Sequence, residues 1–114
     1  MPGYLTTHVL DTARGCPAAG LAITLTRIDG AARSERAHVM TNADGRTDGP
    51  ILPETDFATG TYELVFEAEN YLLATGQPTG FLGDIPIRFS MTDDDHYHVP
   101  LLLSPFGYST YRGS

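Results

Sequence analysis

Leu21, Ile23 and Leu25 alternate with Ala22, Thr24 and Thr26, and the same two-residue rhythm returns in Ile85, Ile87 and Phe89 against Pro86, Arg88 and Ser90. Successive side chains of a strand point to opposite faces, so this spacing describes strands buried on one side only. Such strands need a second apolar layer to cover them. The same reading predicts strands over residues 5–11, 20–29, 33–41, 61–67, 84–92 and 99–103, separated by Gly, Pro and Asp punctuation, with a turn at Arg14-Gly15-Cys16-Pro17. Only residues 68–75, ending before the breakers Gly76 and Pro78, read as a helix, of about two turns. Many short strands with frequent turns indicate an all-β fold, an antiparallel β-sandwich.

A chain of 114 residues has room for one domain, 1–114, and folding at this length buries about 65% of the extended chain's surface. No apolar stretch approaches the roughly 18 to 20 residues that cross a bilayer, so no membrane partner is expected. Met1-Pro2-Gly3-Tyr4 runs into the strand pattern without a basic segment or an apolar signal core, which reads as cytoplasmic. A net charge of −7, from 7 basic and 14 acidic residues with no basic run, argues against a nucleic-acid partner. That imbalance also repels an anionic ligand at long range, so any such ligand must be held by cations placed locally, and Arg46 and Arg112 are the candidates. The only cysteine, Cys16, has no internal disulfide partner and sits between Gly15 and Pro17, as part of a turn rather than as a thiol beside a base.

The last nineteen residues are the most patterned. Residues 99–103 are a β-prone apolar run, Ser104-Pro105-Phe106-Gly107 supplies turn chemistry, and a second run rich in Tyr, Ser and Thr completes a hairpin. At period two, His96 and His98 share one face, while Tyr97, Val99, Leu101 and Leu103 take the other. Two imidazoles near Asp93, Asp94 and Asp95 suggest a metal, but zinc needs three or four converging ligands and no further Cys or His cluster is present. No metal is therefore assigned, and the acidic run reads as a solvated turn. There is no Gly-x-Ser-x-Gly elbow to support a serine hydrolase. His8 shares a strand face with Thr6 and Leu10, a position that by itself suits a structural histidine, and His38 fits no motif.

The closing Ser109-Thr110-Tyr111-Arg112-Gly113-Ser114, behind Leu102-Leu103-Ser104-Pro105, resembles the C-terminal signature of the transthyretin-related 5-hydroxyisourate hydrolases. Leu5-Thr6-Thr7-His8-Val9-Leu10-Asp11-Thr12, followed by Gly15-Cys16-Pro17-Ala18, resembles the family's N-terminal strand, and Asn42-Ala43-Asp44-Gly45-Arg46-Thr47-Asp48-Gly49 its middle motif. The resemblance implies a transthyretin-like sandwich of two four-stranded sheets with one short helix, assembled as a homotetramer with its sites at a subunit interface. It further implies hydrolysis of 5-hydroxyisourate, the unstable product of urate oxidation, to 2-oxo-4-hydroxy-4-carboxy-5-ureidoimidazoline, with no cofactor.

By the same resemblance His8, Arg46 and His98 are catalytic, and Tyr111, Arg112, Gly113 and Ser114 bind substrate. The family pattern selects the histidine directly before Val99-Pro100-Leu101-Leu102, which is His98, and leaves His96 exposed after the acidic run. A neutral imidazole of the His8 and His98 pair would take a proton from water, while the Arg46 guanidinium grips a ring carbonyl and stabilises the charge developing on its oxygen. Which imidazole is the base stays open. Tyr111 offers an aromatic face and a hydroxyl, Gly113 permits close backbone approach, and the carboxylate at Ser114 is a fixed charge, so an extension there is expected to interfere. The alternative is a carrier, since transthyretin itself has this sandwich and binds a hydrophobic hormone between subunits. The polar lining made by His8, Arg46, His98 and residues 111–114 favours the enzyme.

Overall fold

The alternating runs become eight strands and one helix in the computed structural model, which describes residues 2–114. In chain order these are β1 (Tyr4–Asp11), β2 (Cys16–Pro17), β3 (Ala22–Asp29), β4 (Ala32–Met40), β5 (Gly60–Phe66), α1 (Ala68–Ala74), β6 (Ile85–Met91), β7 (His96–Ser104) and β8 (Gly107–Thr110). They form two four-stranded sheets, β2-β1-β7-β8 and β4-β3-β5-β6, so the all-β sandwich with one short helix is the observed architecture. Every pairing is antiparallel except that of β1 with β7, which is parallel over the whole length of β1. Thr7 Oγ1 donates to Val99 O at 2.7 Å and Thr12 Oγ1 to Leu103 O at 3.1 Å, adding side-chain bonds to that pairing.

Leu5 and Val9 of β1 and Leu101 and Leu103 of β7 are fully buried with Ile23, Leu25, Leu64 and Phe66 of the other sheet, and α1 adds Tyr71 and Leu72. The turn placed at 14–17 lies earlier. Gly15 N–H donates to Asp11 O at 2.9 Å, and Cys16 already pairs with Asp11 as strand β2. β4 is an exposed edge carrying Arg33, Glu35 and Arg36, and its register slips by one residue opposite Leu25 and Thr26. Charge and a bulge both discourage another strand from adding there.

Pro100 shapes the end of the fold. β8 pairs with β7 only as far as Leu101 opposite Thr110, and contact resumes at His98 opposite Gly113. Between these points the proline has no N–H for the ladder, and its carbonyl accepts from Thr110 Oγ1 at 2.7 Å. The two intervening residues, Tyr111 and Arg112, leave the sheet.

Asp11, 1% exposed, closes β1 by gathering three donors. Its Oδ2 accepts from Tyr71 O–H at 2.6 Å and Gln77 Nε2 at 2.8 Å, and its Oδ1 from the Arg14 N–H at 2.9 Å. Burial pushes this carboxyl up, but the bonds from Tyr71, Arg14 and Gln77 outweigh it and hold it below the usual value of 3.8. Burial, and then Asp11 itself, push the Tyr71 phenol up to about 12. A carboxylate whose folded value is depressed contributes stability above its unfolded value and loses it as pH falls through the folded one. Tyr71→Phe should therefore cost about 1 to 3 kcal/mol in urea denaturation at pH 7, and the deficit should shrink once acid protonates Asp11.

Candidate active site

The parallel pairing places Tyr4 opposite His96, Thr6 opposite His98 and His8 opposite Pro100. Tyr4, Thr6, His8, His96 and His98 are all half-buried positions alternating with buried ones, so they share the outward face of one sheet.

A loop delivers the arginine to the other side of β1. Asn42 Oδ1 accepts from the N–H groups of Asp44 (2.9 Å) and Arg46 (3.2 Å), an Asx turn that curls the loop tightly. Val9 N–H then donates to Gly45 O at 2.8 Å, and Arg46 bridges to His8. Gly45 has φ +75°, and a Cβ there would lie 2.4 Å from the Val9 carbonyl oxygen, so only glycine allows this approach.

The result is a pocket of about 400 Å³ whose lining includes Tyr4, Thr6, Arg46, His96, His98 and Ser114. Arg14, Arg27, Arg33, Arg88 and Arg112 each have a carboxylate partner, whereas among the described residues Arg46 has none, nor does Arg36 on the exposed edge strand β4. The charge of Arg46 is free to meet a ligand. His98 Nδ1 is 2.7 Å from Thr6 Oγ1, while its Nε2 has no hydrogen-bond partner among the described residues. Burial, then the charges of Arg46, His96 and His8, hold the His98 imidazole below the usual value of 6.5, so at pH 7 it is neutral and keeps a lone pair. The chain end packs onto this ring. Gly113 N–H donates to His98 O at 2.8 Å, and a Cβ at 113 would sit 2.6 Å from the ring's Cδ2.

His8 is not among the residues that line the pocket; it pairs with Arg46, and its Nε2 lies 2.9 Å from the Asp44 carbonyl. A carbonyl only accepts, so that nitrogen carries the proton. His96 departs from the sequence expectation. It is half-buried rather than exposed, stacked on Tyr4 with ring centroids 4.1 Å apart and bonded through Nε2 to Thr6 Oγ1 at 2.7 Å.

Tyr111 and Arg112 do not face the pocket of their own chain. Arg112 lies over the Tyr97 ring at 4.1 Å and pairs with Asp95 at 3.2 Å. Together with Tyr111 it lines a separate depression of about 320 Å³ beside Ile87 and Phe89 of β6. The break at Pro100 and the pull of Tyr97 and Asp95 account for this. Arg46, His98, Gly113 and Ser114 thus converge, with His8 adjoining them. Sequence reasoning passed over Thr6 and Tyr4. They become visible only when the 5–11 and 96–103 strands are aligned in parallel. No three of His, Cys, Asp and Glu among the described residues are grouped to hold a metal ion.

The pattern of the HIUase/Transthyretin family matches residues 5–113. The chain belongs to that family. Within the HIUase/Transthyretin family it is 58% identical to the 5-hydroxyisourate hydrolase of Mesorhizobium japonicum, over 98% of this chain and 93% of the relative. Among solved structures, (S)-allantoin synthase matches with a TM-score of 0.91 and 44% identity over 98% of this chain, which spans only 44% of that chain. Sea bream transthyretin in complex with thyroxine matches with a TM-score of 0.88 and 28% identity, over 99% of this chain and 95% of that one. Both share the sandwich.

The electrostatics at His98 are open to direct measurement. The positive charge of Arg46 opposes protonation of the imidazole, so Arg46→Gln should raise its pKa. An NMR pH titration of the His98 ring protons would read the upward shift.

Proposed function

We propose that residues 1–114 act as one transthyretin-like hydrolase domain that opens a ring amide of 5-hydroxyisourate to give 2-oxo-4-hydroxy-4-carboxy-5-ureidoimidazoline, in the breakdown of urate. The observation that carries this reading is the neutral His98, with Nε2 unclaimed, sharing a pocket with the unpaired Arg46. Nε2 takes a proton from water as the water oxygen bonds to the ring carbonyl carbon. Arg46 stabilises the oxyanion that forms, and its planar donors hold the ring edge. When the tetrahedral intermediate collapses, the carbon–nitrogen bond breaks and the imidazolium returns its proton to the leaving nitrogen. His8 completes the catalytic set, fixing the Asp44 carbonyl beside Arg46. The reading uses no cofactor and no metal.

Tyr111, Arg112, Gly113 and Ser114 are the substrate-binding residues of this proposal. A homotetramer with sites at a subunit interface would bring Tyr111 and Arg112 to a pocket that they do not face in their own chain. In support, β6 and β8 are sheet edges, and Phe81 and Phe106, each 67% exposed, have ring centroids 6.0 Å apart on the surface. A cytoplasmic setting belongs to the same reading, in keeping with a single free cysteine. A carrier of hydrophobic ligands is less well served by a pocket lined with imidazoles and a guanidinium, and the chain is 28% identical to sea bream transthyretin against 58% to the Mesorhizobium japonicum hydrolase.

Added to freshly oxidised urate, the protein should accelerate the ultraviolet decay of 5-hydroxyisourate. His98→Ala and Arg46→Ala should each lower kcat/KM about a hundredfold or more, with sedimentation unchanged. Near-normal turnover in either variant would defeat the assignment.

A further inference from the structure

Thr6 has one hydroxyl and two imidazole neighbours. Its Oγ1 lies 2.7 Å from His98 Nδ1 and 2.7 Å from His96 Nε2. A hydroxyl has a single proton to donate, so when both rings are neutral the two bonds must run in one direction, with one ring nitrogen donating to Oγ1 and the other accepting from it. The two imidazoles therefore take opposite parts at Thr6, and the choice decides which nitrogen of His98 keeps its lone pair.

We infer that Thr6 is a positioning residue that fixes the tautomer of His98. The Nδ1–H of His98 donates to Thr6 Oγ1, the Thr6 O–H donates to His96 Nε2, and the His98 lone pair is left on Nε2, toward the pocket. The inference rests on the reading of His98 as the base and names what makes it one.

Three features favour this direction. His96 is held in place, its ring stacked on Tyr4 at an interplanar angle of 6°, so that Nε2 is fixed at the hydroxyl and can serve as its acceptor. The His98 ring packs closely on Gly113, where a Cβ would lie 2.6 Å from Cδ2, so backbone presses on the ring edge that leaves Nδ1 at Thr6. Lastly, His98 and the unpaired Arg46 line the same pocket, and a lone pair directed toward a guanidinium is electrostatically preferred to an N–H. The opposite direction would put the His98 proton on Nε2, where it could not accept one from water. Burial and the permanent charge of Arg46 keep this imidazole neutral, the only state in which the allotment of one proton between two nitrogens matters.

Thr6→Val keeps the shape and removes the hydroxyl, and Thr6→Ser restores it. Long-range 15N–1H NMR of the substrate-free protein should find His98 as the Nδ1–H tautomer in the wild type and in Thr6→Ser, and shifted toward Nε2–H in Thr6→Val. On 5-hydroxyisourate, Thr6→Val should lower kcat about 10- to 100-fold, within the range for a general base, with KM changed by less than about twofold, and Thr6→Ser should recover most of the rate. Thermal melting checks that both variants fold. An Nε2–H signal from wild-type His98, or an unchanged Nδ1–H signal in Thr6→Val, would overturn the inference. Because the tautomer is read without substrate, this failure is distinct from that of the base assignment, which full turnover by His98→Ala would remove.

Discussion

The parallel pairing of β1 with β7 is the constraint on which the rest of the structure depends. The N-terminal strand has no hairpin route to this neighbour, and the whole length of chain between them is used to bring β7 alongside in the same direction. Its consequence is geometric. Parallel strands in register align like faces position by position, so the apolar sides of β1 and β7 enter the core together while Thr6, His8, His96 and His98 stand outside together. One act of pairing builds both the hydrophobic interior and the polar surface that holds the imidazoles.

How much of this can be read in the sequence depends on the distance over which each cause acts. Alternation is local, so the strands around Leu21–Ile23–Leu25 and Ile85–Ile87–Phe89, and the helix before Gly76, were legible to within a residue or two. Partner choice is not local. No composition rule says that residues 5–11 lie beside residues 96–103, so the sequence does not single out Thr6 and Tyr4, and His96 reads there as exposed. The placement of Tyr111 and Arg112 has another cause. Their motif fixes the residues but not the course of the chain, and that course turns on the missing N–H of Pro100 and on the attraction of Arg112 to Tyr97 and Asp95.

The site also sets charge against solvation in a consistent way. The chain as a whole is acidic, yet the groups around the pocket are an arginine and histidines. Crowding them under partial burial keeps His98 neutral and leaves the guanidinium as the permanent charge. The long-range field and the local one thus have opposite signs. Any acceleration the pocket provides comes from oriented donors at short range rather than from steering at a distance.

Gly45 and Gly113 bring in no functional group, yet each is where backbone must lie against the machinery, one on the Val9 carbonyl and the other on the His98 ring. A saturation survey of the chain scored by turnover would mark both as intolerant as the histidine, for reasons of volume at Gly113 and of volume and backbone conformation at Gly45. An inventory of such hits that sorted residues by reactive atoms would leave these two unexplained. The empty space where a methyl group would stand is part of what the site is made of.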